Sequence, residues 1–145
     1  MIRTETEYRR TQKKLQEQNK LLEHQRREMA SAGLNEEQQN RVLNPVRCFQ
    51  LQLQEEMAAY ERLQQGKIDP VTQFSQIGRL LISLRIAKGV TQRELAERLN
   101  VNESQVSRDE HNEYHGITVD RAQRILDVLQ AAARIEVVPD PSQVG

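Results

Sequence analysis

The sequence predicts an all-α protein: a helical hairpin over residues 1–66, a linker at 67–76, a bundle of short helices over 77–132 and a tail at 133–145. Three observations predict it. Apolar residues recur at helical spacing, seven apart in the first thirty residues and three or four apart from Val42 to Leu63. Side chains that cap helix N-termini, namely Asn35, Thr91, Asn102 and Thr118, stand just ahead of periodic runs. With 3% aromatic and 29% charged residues and no Trp in 145 positions, the chain lacks the material for one large core, and small helical units suit it better.

The first element is a polar helix over residues 3–30. Tyr8, Leu15, Leu22 and Met29 form one stripe at seven-residue spacing, and the positions between them are Thr11, Gln18 and Gln25. A seam that is half polar does not hold a lone helix, so this one needs a partner. The break at Ser31, Ala32 and Gly33 leads to Asn35, with Gln38 three residues on to complete a capping box. The second helix then carries Val42, Val46, Phe49, Leu53, Met57, Tyr60 and Leu63 and stops at Gly66. Pro45 lies inside it, where either the helix kinks or a short helix ends and a longer one begins.

The linker holds Asp69 and Pro70, a pair that can cap a further helical turn, and its apolar Ile68, Val71 and Phe74 predict that the two halves touch. Beyond it, Ile77, Leu80, Leu81 and Leu84 give a helix ending near Gly89. Thr91 with Glu94 forms a capping box for the next. Asn102, with Gln105 reaching back, caps a third, and Thr118, with Asp120 in the first turn, caps a fourth that turns Ala122, Ile125, Leu126 and Leu129 inward. Ile135, Glu136, Val137 and Val138 read as a short strand stopped by Pro139, with a partner only across a dimer.

Composition excludes several function classes. Lys plus Arg and Asp plus Glu number 21 each, so there is no general pull toward nucleic acid, and any such binding rests on local placement of a few cations. A single Cys48 rules out an internal disulfide and a Cys-rich zinc site, and His24, His111 and His115 lack metal-ligand spacing. No cofactor or metal is expected, and no catalytic constellation is present. No apolar run spans a bilayer and no signal-peptide pattern occurs, so no membrane association and a cytoplasmic location are expected.

The motif that carries chemistry runs from Thr91 to Glu110. Leu95, Leu99, Val101 and Val106 supply the apolar contacts of two crossing helices, Ala96 is small where they touch, and Asn100 tolerates the left-handed turn between them. The second helix opens with Asn102, Glu103, Ser104 and Gln105. This pattern, T-Q-x-x-L-A-x-x-L-x-V-x-x-x-x-V-S-R-x-E, resembles the XRE family, the Cro/CI-type (lambda repressor-like) helix-turn-helix of bacterial and phage regulators.

The resemblance implies that residues 103–111 form the recognition helix and lie in the major groove. It places Gln92 on a DNA phosphate, Asn102, Glu103, Ser104 and Arg108 at base edges, Ser107 on base or phosphate, and residues 112–116 along the backbone. It also implies a structural salt bridge between Arg85 and Glu110. Two positions depart from the family. Asp109 replaces a bulky apolar residue and, with Glu110, sets negative charge near the phosphate surface, and Asn100 replaces Gly in the turn.

The leading expectation is a non-enzymatic, sequence-specific transcriptional regulator, a repressor binding a palindromic operator on double-stranded DNA as a homodimer. One recognition helix reads only about four or five base pairs, so two are needed, about 34 Å apart. The N-terminal hairpin, coiled-coil-like, is the expected dimerisation or partner-binding unit. Two alternatives remain: an antitoxin whose residues 1–66 bind a toxin, and a helical protein–protein adaptor that does not bind DNA.

Overall fold

A computed structural model describes residues 1–140 and 142 of the chain. The order is α1 (Glu5–Ser31), α2 (Glu36–Gln64), a single 3-10 turn (Phe74–Gln76), α3 (Ile77–Ala87), α4 (Gln92–Leu99), α5 (Glu103–His111) and α6 (Val119–Val128). The chain is all-helical among the described residues.

Helices α1 and α2 pair antiparallel. Thr4, not foreseen as a cap, starts α1 by accepting from the Glu7 amide, and Asn35 and Gln38 close the reciprocal capping box of α2. The seven-residue stripe of α1, from Tyr8 to Met29 with Thr11, Gln18 and Gln25 between, is half-buried throughout. Thr11 turns its hydroxyl back onto the Glu7 carbonyl of its own helix, at 2.9 Å, and the Gln18 side-chain oxygen is buried without a partner. Beside this stripe, buried Gln50 of α2 donates from Nε2 to Asn19 Oδ1 at 2.9 Å. Near the base of the hairpin, Tyr8 stacks on Tyr60 with ring centroids 5.4 Å apart.

The structure corrects the expected α2 face in part. Leu43 (2% exposed) and Gln50 take the seam against α1, whereas Val42, Val46 and Phe49 remain 36–58% exposed. The apolar stripe is wider than one neighbour covers. α1 shields one flank, and the C-terminal half of the chain shields the other only at the base, over Tyr60 and Leu63. At Pro45 the helix runs on without interruption. The proline sits on the exposed side, where water can meet the carbonyl it leaves unpaired.

Residues 67–72 are irregular, so Asp69 and Pro70 cap no helix, and only the 3-10 turn follows. Nor is the strand at 135–138 formed. Ile135, Val137 and Val138 are 65–86% exposed in irregular chain, because the monomer offers no ladder to join. The rest of the expected tail, at 141 and 143–145, lies outside the described residues.

The two halves share one hydrophobic core. Leu81, Ile82, Ile86, Leu95, Leu99, Val106, Ile125 and Leu129 pack together, and the same cluster takes in Ile2 (4% exposed) and Tyr60 from the hairpin. Each fully buried aliphatic side chain contributes roughly 1.5–3 kcal/mol. The hairpin is therefore seated on the C-terminal bundle rather than tethered to it.

Candidate nucleic-acid interface

Local chemistry sets the α4–turn–α5 unit. Thr91 Oγ1 accepts from the Glu94 amide at 3.1 Å, and Glu94 Oε2 accepts from the Thr91 amide at 2.7 Å. The Thr91 amide, and after it the Thr91 hydroxyl, hold the Glu94 carboxyl below its usual range. Asn100 ends α4 in the left-handed region (φ 56°, ψ 46°), the conformation that lets a family glycine be replaced by Asn. Leu95, Ala96 and Val106 are each at most 2% exposed where the two helices cross.

At the start of α5, Asn102 has cap dihedrals but its side chain accepts no capping bond, and Gln105 does not reach back. That differs from the expected capping box. The Asn102 amide is left projecting, next to exposed Glu103 and Ser104. Arg108, one turn beyond Ser104, is exposed and pairs with no carboxylate among the described residues, while Ser107 is half-buried beside it. The structure thus leaves Asn102, Glu103, Ser104 and Arg108 all exposed to solvent.

Beneath these residues lies a buried polar network. Arg85 grips Glu110 with two parallel bonds, Nε to Oε1 at 2.5 Å and Nη2 to Oε2 at 2.8 Å. Both side chains are at most 4% exposed. Arg85 Nη1 also donates to the Val90 carbonyl at 2.8 Å, and Nη2 to the carbonyl of Arg3 at 2.8 Å. Gln92 completes the network by donating from Nε2 to Glu110 Oε2 at 2.7 Å. The Gln92 side chain is thus turned inward instead of toward a phosphate, because Glu110 needs a second donor once it is dehydrated.

The expected negative field at Asp109 and Glu110 is also cancelled. Glu110 is neutralised by Arg85, and Asp109 bonds Arg121 of α6. The departure at Asp109 therefore replaces an apolar contact with an ion pair joining α5 to α6.

The 112–116 turn contains two consecutive left-handed non-glycine residues, Glu113 (φ 51°) and Tyr114 (φ 52°). Tyr114 is 5% exposed, and Gly78 of α3 lies so close that a Cβ there would meet the Glu113 carbonyl oxygen at 1.8 Å. Arg79 closes the contact with Glu113 at 3.1 Å. Sequence reasoning missed Gly78, and it missed Arg3, whose Nη2 also stands 3.3 Å from His111 Nδ1 at the end of α5. No local signal marks either one.

Burial, reinforced by the nearby Glu110 charge, pushes the Tyr114 hydroxyl well above its ordinary 10.0. A raised phenol favours the folded state below the unfolded value and loses that contribution as pH climbs past it. Stability should therefore fall as pH rises above about 10, and Tyr114→Phe should fall less. Thermal melts from pH 8 to 11 check this.

A helix opened by a capping box, a left-handed turn and a second helix with an exposed, uncapped N-terminus make up a helix-turn-helix unit. Residues 81–133 match the family model described as Helix-turn-helix, and this segment is a helix-turn-helix domain of the XRE type, carried behind an N-terminal helical extension. No curated protein and no solved structure matches the chain. No helix among the described residues is long and apolar enough to cross a membrane.

Proposed function

We propose that the protein is a sequence-specific repressor that occupies a palindromic operator as a homodimer, with one α5 in the major groove of each half-site. The projecting tip of α5 carries this reading, with Asn102 uncapped and Arg108 unpaired above the buried Glu110. Arg108 reaches guanine O6 and N7 with its two-pronged donor set, worth roughly 1–3 kcal/mol of discrimination. Glu103 accepts from a cytosine amino group, Asn102 bonds adenine, and Ser104 and Ser107 take the flanking base or phosphate. In this reading Gln92 supports Glu110 rather than touching DNA. The neutral chain supplies little non-specific attraction, so specificity depends on these few contacts and on doubling the site. Its work lies with the chromosome in the cytoplasm.

Selection from random duplex DNA should return two inverted half-sites about one helical turn apart. Arg108→Ala should then lose preference at one base pair per half-site by about tenfold or more, with an unchanged melting temperature. A variant that selects the same sequence with the same strength defeats the assignment of Arg108. A wild type that shows no DNA affinity even at low salt defeats the regulator reading and leaves an adaptor.

A further inference from the structure

The apolar stripe of α2 is covered at its base by the DNA-binding module and bare above it. Tyr60 is buried and Leu63 half-buried there, whereas Val46, Phe49 and Val42, one to two turns apart on the same flank, are 36%, 39% and 58% exposed. Helix α1 adds to this bare surface. Lys14 Nζ lies 4.9 Å from the centre of the Phe49 ring, and the pairings of Tyr8 with Tyr60 and of Asn19 with Gln50 set the register of the two helices. In that register Leu21, 56% exposed, stands level with the turn of α2 that carries Val46.

We infer that this flank, formed by Leu21, Val42, Val46 and Phe49, is where a second copy of the chain docks, joining two hairpins into a four-helix bundle. The inference rests on the homodimer reading above and locates its interface. Two observations select a second copy as the occupant. The surface continues a stripe that already packs against protein at its lower end, so the seam has the width and spacing of helix-on-helix packing. It is also self-complementary in charge. Lys14 and Glu28 stand one heptad on either side of Leu21, on the same edge of α1. A two-fold axis near Leu21 sets the Lys14 of each copy opposite the Glu28 of the other, while the apolar side chains meet between them. Exposed Glu28 has the His24 imidazole within 3.1 Å and pairs with no Lys or Arg among the described residues.

The test uses the full chain and the double variant Leu21→Glu/Val42→Glu. Both positions are more than half exposed, so helicity and melting of the monomer should be preserved. Light scattering should give the wild type twice the chain mass and the variant one. On DNA with two half-sites the variant should lose about a hundredfold in affinity, while a single half-site should bind both proteins equally. A charge swap, Lys14→Glu with Glu28→Lys, should leave the wild-type dimer intact, and Lys14→Glu alone should weaken it. A double variant that still dimerises places the interface elsewhere and overturns the inference while sparing the homodimer reading. A wild type that is monomeric at high concentration, with and without DNA, overturns both.

Discussion

Glu110→Ala will destabilise the fold by about 3–5 kcal/mol, the expected penalty for stranding a buried guanidinium. Arg85 is only 4% exposed, and three acceptors hold its guanidinium: Glu110, the Val90 carbonyl and the Arg3 carbonyl. Removing the carboxylate leaves a positive charge in apolar surroundings, and Gln92 loses its partner as well. Arg85→Ala should do similar damage by stranding the carboxylate. The double replacement should lose much less than the two losses together, because neither charge is then left alone. Urea unfolding of the four proteins gives the coupling directly. A loss below about 1 kcal/mol for Glu110→Ala would mean that the pair contributes no more than a surface ion pair does.

Gly78→Ala should be nearly as damaging, against the usual sign. In an open helix the change from Gly to Ala gains about 1 kcal/mol. Here the added Cβ would lie 1.8 Å from the Glu113 carbonyl oxygen, a backbone atom in a turn already held in the left-handed region. Either α3 or the 112–116 turn must move, and both carry buried side chains. Overpacking of this kind costs roughly 3 kcal/mol, and a thermal melt should fall by about 10 °C. Because Glu113 and Tyr114 lie just past the end of α5, the proposed recognition helix, the surviving folded protein should also bind DNA more weakly. An unchanged melting temperature would show that the turn yields freely.

Local features were the legible ones. Thr91 with Glu94, Asn35 with Gln38, Thr118 and the left-handed Asn100 all act within four residues of themselves, so the sequence displays both partners together. Apolar spacing likewise exposed the crossing of α4 and α5 and the pairing of α1 with α2. Three kinds of feature stayed hidden. The Arg3 carbonyl meets Arg85 across 82 positions of chain, and no spacing encodes that. Gly78 is needed for a neighbour's backbone rather than for its own conformation. The stripe on α2 showed that the helix is amphipathic, but how its two flanks are divided depends on what packs where. For that reason Leu43 went inside while Val42 stayed out. At the tip, Asn102 has the residue type of a cap yet does not act as one. At Asp109 the departure from the family became legible only once Arg121 was seen across from it.

The seating of Ile2 and Arg3 beneath Arg85 has a mechanical consequence. Helix α1, 27 residues long, is a strut of about 40 Å, and with its foot locked into the core it has no hinge on which to swing. Whatever joins its far end inherits a fixed rotational phase relative to α5 and to the groove we propose it enters. For paired copies, a spacer changed by about five base pairs, half a turn of B-DNA, would carry the second half-site to the opposite side of the duplex, and a rigid arm cannot follow it there.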